Sequence, residues 1–319
     1  MKTEDVSGYD VFGCGRCKRS PLPDNRGFAL VLTLMVVAII TAMVVEFAYG
    51  VYINTSALYN WQNSQKLSYA ARSAIKLGAM IITENAKQYP YTYPGSIEIT
   101  KKIPFDNIDG SITLKIEDEN SKFNVNSLVF LNGTLNEDAY ASFVRLLKAL
   151  NLKTSIADNV VSWINPAIRP MPVDSKIPSK NTCLDSVDEL LLIPGIDMTS
   201  YTTLLPYVTI YGSGQGSFLI NINGASVPVL MSLSDSIGRG LAENIVRYRE
   251  SSPFQQISDI QKVSGINIGT IKMQYITVKG TSFYVTGTAQ SGDIQRIIDC
   301  VLDVSGTGTN RIVRYWKEL

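Results

Sequence analysis

The chain has 319 residues, and its 29 basic side chains nearly balance 28 acidic ones. Such a balance gives no overall attraction to nucleic acid or to anionic lipid. The sequence contains no histidine, which excludes Ser-His-Asp and Cys-His nucleophiles and every histidine-ligated metal site. Lysine, tyrosine or carboxylate side chains could act as acids or bases, but no paired arrangement of them suggests catalysis. We therefore expect a protein that is not an enzyme.

An uncharged segment, Phe28–Val45, stands near the N-terminus and ends at Glu46. As a helix, its 18 residues would cover nearly the ~30 Å hydrocarbon core of a bilayer. Tyr49, Tyr52 and Trp61 follow it, and such amphipathic rings favour a membrane–water interface. The cations just ahead of the segment are Arg16, Lys18, Arg19 and Arg26. Because such cations stay in the cytoplasm, we predict a single-pass membrane helix with everything after Glu46 across the membrane.

Two kinds of processing compete for this segment. A conventional secretory signal has a shorter apolar region and a small-residue cleavage site, for which Ala42 and Ala48 are the candidates. The stretch Gly-Phe-Ala-Leu-Val-Leu-Thr-Leu, which begins at Gly27, resembles instead the prepilin pattern of type IV pilins and type II secretion pseudopilins. That resemblance implies cleavage between Gly27 and Phe28 by a prepilin peptidase, followed by N-methylation of Phe28. The membrane and bundle helix would then include Phe28, Leu30, Leu32, Leu34, Val37, Ile40 and Val44.

The pattern after the apolar segment predicts an α+β fold. No proline interrupts the chain from Ala29 to Ala86, which predicts one long helix. The helical face that we expect to bury against a sheet comprises Leu67, Ala70, Ala74, Leu77 and Ile81. Strands are predicted over residues 97–103, 112–116, 275–278, 282–288, 294–304 and 311–316. We expect the first two strands and the last four to share one sheet on the C-terminal half of the helix.

Between these strands, residues 121–269 predict an inserted helical domain with an internal repeat. Amphipathic segments predict helices at Glu137–Leu150 and Ser155–Ile164. Asn124-Val-Asn-Ser is echoed by Asn221-Ile-Asn-Gly, and each precedes a helix that asparagine can cap. A helix-hairpin-helix device also occurs twice, with glycine allowing a sharp turn between apolar neighbours. The turn residues are Pro194, Gly195, Ile196, Gly265 and Ile266.

The hairpin device has two interpretations. In nucleic-acid-binding proteins the hairpin amides approach phosphates, and residues 221–268 resemble the hairpin domain of membrane-anchored competence DNA receptors. In a scaffold, the glycines only make turns. Four basic side chains in residues 221–268 are offset by four acidic ones, whereas DNA binding normally needs a basic face. We therefore favour the scaffold and expect no nucleic-acid partner.

The cysteines leave a redox question open. Cys14 and Cys17 precede the prepilin-type cleavage site and would be lost with the leader. Cys183 and Cys300 would remain, in an oxidising compartment where a disulfide between them is permitted. Two unpaired buried thiols are equally compatible with the sequence.

Taken together, these motifs resemble the general secretion pathway protein K family of minor pseudopilins. The family lacks the glutamate that is usual at the fifth mature position, which is Leu32 in this chain. The motifs that carry the resemblance in the rest of the chain are Lys122-Phe-Asn-Val-Asn-Ser-Leu, the helix-Pro-Gly turn at Asp185–Ile196, Asn-Ile-Asn at 221–223, and Phe283-Tyr-Val-Thr with Arg314-Tyr-Trp. The resemblance implies a pilin-like domain with a large helical insert. It divides the chain into a leader (1–27), a membrane helix (28–50), a pilin-like domain (51–120 and 270–319) and the insert (121–269).

The same resemblance implies a role in assembly. The protein would sit in a bacterial inner membrane with its C-terminal domain in the periplasm, at or near the tip of a pseudopilus whose assembly it helps to initiate. Its partners would be the minor pseudopilins I and J, with the major pseudopilin as a further candidate. We expect no cofactor. Some family members bind calcium, which stays an open alternative, but the acids Asp174, Asp185, Asp188 and Glu189 are too scattered here to be named as its ligands. The alternatives are a membrane-anchored DNA receptor and a minor pilin of a type IV pilus.

Overall fold

The computed structural model describes residues 26–103, 109–170, 177–212, 216, 218–267, 269, 271–304 and 311–319. The chain divides into two compact units, Met1–Trp61 and Gln62–Leu319. One continuous helix, α1 (Arg26–Gln88), contributes residues to both. This confirms the long helix that the proline-free sequence predicted.

The second unit combines short helices with β-sheets. Its strands are β1 (Ser96–Lys102), β2 (Ser111–Asp118), β3 (Phe123–Asn124), β4 (Val208–Thr209), β5 (Ile220–Asn221), β6 (Ile276–Thr277), β7 (Ser282–Ser291), β8 (Ile294–Val304) and β9 (Arg311–Glu318). Its further α-helices are α2 (Glu137–Ala149), α3 (Ser155–Ile164), α4 (Met198–Leu204), α5 (Val227–Ser232) and α6 (Arg239–Ser251). The predicted helices at 137–150 and 155–164 are thus confirmed as α2 and α3.

The main sheet is antiparallel, with the strand order β1-β2-β7-β8-β9. Its central rows are apolar: Ile116 pairs with Val285, and Val285 pairs with Cys300. Alternating side chains of β2 and β7 are buried, as expected for a sheet with one face on the core. The strands predicted near both ends of the chain therefore do meet, although about 160 residues separate β2 from β7.

The buried face of this sheet packs on the C-terminal half of α1. Leu67, Ala70 and Ala74 are buried in the same apolar cluster as the sheet residues. The prediction for Leu77 was wrong, because its side chain is 50% exposed. At this level of α1 the residue that faces the sheet is Gly78. Because successive residues of a helix are about 100° apart around its axis, Leu77 points away from the sheet.

A second apolar cluster fills the segment between Phe123 and Val278 and contains side chains of α2 to α6. Two short parallel ladders lie within this segment: β3 pairs with β4, and β5 pairs with β6. The sequence-based placement of residues 275–278 in the main sheet was therefore wrong. The strand β6 is two residues long and pairs with Ile220 and Asn221, so it belongs to the inserted segment instead.

Candidate functional site

The first unit presents a long apolar surface on α1. The large apolar side chains of Phe28–Val45 are between 44% and 71% exposed, and no residue in the most apolar stretch of the helix is buried. The hydroxyls of Thr33 and Thr41 donate to the carbonyls of Leu30 and Val37 at 2.8 and 2.7 Å, so these hydroxyl groups do not depend on water for a hydrogen-bond acceptor. By its length and composition, the helix is long and apolar enough to cross a membrane. The surface includes the predicted positions Phe28, Leu30, Leu32, Leu34, Val37, Ile40 and Val44.

Aromatic side chains follow this surface within the same unit. Tyr49, Tyr52 and Trp61 come after Glu46 in α1, and each is more than half exposed. Their rings join an apolar body to a polar edge, which suits the boundary between hydrocarbon and water. The order of apolar segment, first charge and aromatic rings is therefore the order that a membrane helix needs at its far end.

The first predicted hairpin joins a 3-10 helix, Val187–Leu192, to α4. Ser186 opens the 3-10 helix with a reciprocal capping box to Glu189. Gly195 has φ +83°, a conformation that side chains disfavour, and the amide of Ile196 donates to the carbonyl of Ile193 at 3.2 Å. Asn159 Nδ2 donates to the carbonyl of Pro194 at 2.7 Å and thereby ties the turn to α3.

The second hairpin repeats this geometry after the 3-10 helix Ile257–Lys262. Gly265 has φ +93°, and the amide of Ile266 donates to the carbonyl of Val263 at 3.1 Å. A side chain on Gly265 would meet Leu241 Cδ1 of α6 at 3.2 Å, just as a side chain on Gly195 would meet Asn159 Nδ2 at 3.2 Å, so an apolar side chain stands where the first hairpin has the asparagine. The predicted turn residues therefore do form two matching turns, each followed by an apolar residue that is buried.

The repeated asparagines cap a helix and also hydrogen-bond to the backbone of residues far away in the chain. Asn124 caps a short 3-10 helix, as predicted, by accepting from the amide of Asn126 at 2.9 Å. Asn126 also brackets Leu184, accepting from its amide and donating to its carbonyl, both at 2.9 Å. Asn223 brackets Phe254 in the same way, at 2.9 and 2.8 Å. Sequence reasoning missed these brackets, although the repeated Asn-x-Asn spacing was a visible signal for them.

Two of the cations near the second hairpin, Lys262 and Arg249, are engaged within the chain. Lys262 lies 2.8 Å from Asp259, and this contact, with further amide hydrogen bonds, lowers the pKa of Asp259 to about 2. The buried guanidinium of Arg249 donates to the carbonyl of Ile222. Burial also lowers the pKa of the Arg249 guanidinium. Neither side chain offers an unengaged positive charge to a phosphate.

The cysteines and acids of the sequence analysis lie in separate places. Cys183 is half-buried against the cluster of the inserted segment, and Cys300 is buried in the main sheet; both are free thiols. Burial raises the pKa of Cys300 to about 11, so that thiol is unreactive at neutral pH. Cys14 and Cys17 lie outside the described residues.

Two of the acids considered for calcium converge on an ammonium group. Lys180 Nζ lies 2.7 Å from Asp185 and 2.8 Å from Glu189, the place that a cation would take between them. Among the residues that the structure describes, no group of three or more acidic or cysteine side chains is arranged to hold a metal ion. Asp174 lies outside those residues.

The sequence and the fold are both similar to those of known proteins. A family model described as type II secretion system protein K matches residues 121–213, and a helix-hairpin-helix model matches residues 217–273. The type II secretion system protein K of Pseudomonas aeruginosa is 25% identical over 313 residues, which cover 91% of this chain and 92% of that protein. The crystal structure of the GspK–GspI–GspJ complex from enterotoxigenic Escherichia coli contains a chain that matches with a TM-score of 0.66. That match is 17% identical and covers 82% of this chain and 98% of the other, and it confirms the pilin-like α+β fold with a helical insert.

Proposed function

The chain belongs to the type II secretion system protein K family, and we propose that it is a non-enzymatic minor pseudopilin of a periplasmic pseudopilus. Pseudopilins are in general structural proteins, and the absence of histidine fits that role. In this proposal the subunit assembles at or near the tip and helps to initiate the filament. The observation that carries it is the exposed apolar surface of Phe28–Val45, which lies in the same helix that packs on the pilin-like sheet.

An apolar surface of this length needs a partner. Monomeric soluble proteins rarely expose contiguous apolar patches larger than a few hundred Å². A bilayer supplies such a partner before assembly, and the helices of neighbouring subunits supply it afterwards. We propose a single-pass inner-membrane location with the second unit in the periplasm, since the cations of the leader precede the helix.

The partners follow from the comparison. The Escherichia coli relative was crystallised in a complex with GspI and GspJ. By analogy, the minor pseudopilins I and J are the proposed partners here, and the major pseudopilin is a further candidate. A prepilin peptidase would cut between Gly27 and Phe28 before assembly. The division into leader (1–27), membrane helix (28–50), pilin-like domain (51–120 with 270–319) and insert (121–269) is part of this proposal, except that the pairing of β6 with β5 assigns the residues up to Val278 to the insert.

Cleavage at Gly27 can be tested with a matched pair of variants. Gly27 and Gly50 both lie in α1, and a side chain added at either would meet nothing within 4 Å, so neither change disturbs packing. Gly27→Leu should leave the precursor uncut, whereas Gly50→Leu should be processed like the wild type. Intact mass spectrometry of the membrane-extracted protein reads both outcomes and the N-methyl group on Phe28. A wild-type protein that still begins at Met1, or that begins beyond Ala42, would contradict prepilin processing.

The helix-hairpin-helix match over residues 217–273 keeps DNA binding as a second candidate. It requires duplex DNA to bind tightly and in a salt-dependent manner, because each phosphate contact releases counterions. The engaged charges of Lys262 and Arg249 speak against it. A titration of the purified protein with duplex DNA at low salt should be flat, and salt-sensitive binding would favour the DNA receptor. Co-purification with pseudopilins rather than with pilus subunits separates the secretion role from a type IV pilus.

A further inference from the structure

The first hairpin carries apolar side chains at exposed positions where the second hairpin carries polar ones. Counted from the turn glycine, the two hairpins bury the same positions, which hold Leu190, Ile193 and Ile196 in the first and Ile260, Val263 and Ile266 in the second. Leu191 and Leu192 of the first correspond to Gln261 and Lys262 of the second, and all four are exposed. Leu191 is 37% exposed and Leu192 is 47% exposed. Because the second hairpin forms the same glycine turn with polar residues there, the fold does not require leucine at either position.

The exposed apolar residues continue along α4 toward a cleft. Met198 is 62% exposed and Leu205 is 42% exposed, and with Tyr201 they are spaced by three and four residues, so the three share one helical face. Tyr201 and Leu205 also line a cleft of about 510 Å³ between the first hairpin and the strands β2, β7 and β9. Asp188 lines it too, and Leu191 follows Asp188 by three residues, which places both on the same side of the 3-10 helix. We call the cleft, together with Leu191, Met198 and Leu205, the hairpin groove.

The composition of the hairpin groove is that of a protein-binding surface. The tyrosines that line the cleft are Tyr201, Tyr211, Tyr284 and Tyr315. Tyrosine and methionine are enriched at protein interfaces, where tyrosine combines a large apolar area with a hydroxyl group that can hydrogen-bond. Met198 adds a flexible thioether that adapts to different partner side chains. An exposed apolar surface that borders a tyrosine-lined cleft therefore fits a protein partner better than a small polar ligand.

Acids outnumber lysines among the charged residues that line the cleft, belong to the first hairpin or act on it. The acids are Glu117, Glu119, Asp185, Asp188, Glu189 and Asp197, and the lysines are Lys115, Lys122, Lys153 and Lys180. Within the cleft, each lysine contacts a glutamate, Lys115 at 2.8 Å and Lys122 at 2.6 Å. Asp188 instead accepts from the neutral hydroxyl of Tyr201 at 2.5 Å. Six acids against four lysines leave two negative charges in excess, which are complementary to a basic partner.

We propose that the hairpin groove binds the apolar face of an amphipathic helix on a partner protein, with lysine or arginine side chains beside that face. Met198 and Leu205 are seven residues apart, about 10 Å along α4, and a partner helix repeats its apolar anchors over the same two turns. The proposal concerns a surface of the second unit and does not depend on pseudopilus assembly.

The charge of the groove separates this occupant from others. In a dimer formed through the groove, the same acids of both copies would face each other across a two-fold axis, which is unfavourable. The few apolar side chains of the groove are also a small part of the roughly 1,200–2,000 Å² that a stable interface buries. Anionic lipid and nucleic acid carry the same sign of charge as the groove and would be repelled. A basic amphipathic helix meets both the apolar residues and the excess acids.

The test uses the full-length protein reconstituted in phosphatidylcholine nanodiscs, with empty nanodiscs as the blank. The probe is a fluorescein-labelled amphipathic helix of leucine and lysine, and its counterpart has glutamate in place of lysine. Fluorescence anisotropy should show at least about tenfold tighter binding of the lysine helix. The double variant Leu191→Gln with Met198→Gln should bind this helix at least about tenfold more weakly, because two apolar side chains are lost from the contact. Both positions are exposed, and glutamine is the residue that the second hairpin has in place of Leu191.

Leu131→Gln is the matched control, because Leu131 is 80% exposed in the same insert but is not part of the hairpin groove. It should bind the lysine helix like the wild type. Equal binding of the two helices, unchanged binding in the double variant, an equal loss in Leu131→Gln, or no binding above the blank would each overturn the proposal. Sedimentation that shows dimers of the wild type and monomers of the double variant would identify a second copy as the occupant and overturn it as well. If the double variant does not fold, Met198→Gln alone and the comparison of the two helices decide the outcome.

Discussion

The contact between α1 and the main sheet offers a sharp test of the fold. At Gly287 of β7, an added methyl group would lie 2.5 Å from the backbone carbonyl oxygen of Ala71. Ordinary carbon–oxygen contacts are about 3.3–3.6 Å, so the helix would have to retreat by roughly 0.8 Å. Overpacking of this kind costs about 1–3 kcal/mol. We therefore expect Gly287→Ala to lower the free energy of unfolding by that amount.

Two further glycines supply graded controls. At Gly78 of α1 the new methyl group would meet side-chain atoms, Val285 Cγ1 at 2.9 Å and Leu114 Cδ1 at 3.0 Å, which can move more easily than backbone. Its cost should be partly offset by the better helix propensity of alanine, about 1 kcal/mol. At Gly240 of α6 nothing lies within 4 Å, and Gly240→Ala should stabilise the protein by about 0.5–1 kcal/mol.

The assay is urea denaturation of the detergent-solubilised protein, followed by tryptophan fluorescence. The expected order of stability is Gly240→Ala, then Gly78→Ala, then Gly287→Ala. A Gly287→Ala variant as stable as the wild type would refute the close approach of helix and sheet. A Gly78→Ala variant that is less stable than Gly287→Ala would instead contradict the ranking of the backbone clash above the side-chain clash.

Three other predictions concern a buried acid, a buried amide and the apolar surface. Burial raises the pKa of Asp118 from 3.8 to about 7, so its folded form holds a proton that the unfolded form has released between these values. Relative to Asp118→Asn, the wild type should lose up to roughly 4 kcal/mol of stability between pH 4 and pH 8, measured by urea denaturation; a constant difference would contradict this. Asn223→Ala leaves the amide and carbonyl of Phe254 without their partner and should cost about 2–4 kcal/mol by the same assay, with no loss counting against the bracket. Val37→Arg removes no buried contact but adds about 3 kcal/mol to the membrane insertion free energy, so carbonate extraction should release more protein than from the wild type.

Local patterns predicted much of this fold. The long helix α1, the helices α2 and α3, and most strands of the main sheet follow from periodicity and from the positions of proline and glycine. The glycine turns at Gly195 and Gly265 were also visible, because the surrounding apolar residues repeat. These features depend on a few neighbouring residues, which is why the sequence reveals them.

Other features needed the assembled chain. Leu77 is apolar and helical, but only the position of the sheet decides that it stays outside the core. Residues 276–277 look like part of the main sheet, yet they pair with Ile220 and Asn221, and no local pattern records that choice. Asp118 is a buried acid whose hydrogen-bond donor Asn221 lies more than a hundred residues away in the chain.

Local sequence patterns sufficed to predict the helices, the turns and the apolar membrane-length segment, since backbone preferences and hydrophobic periods act over a few residues. The neighbours of each strand, the side of α1 that meets the sheet, and the polar groups that are buried together became known from the folded chain alone. Those choices depend on contacts between residues far apart in the chain, where packing and the loss of water set the energies.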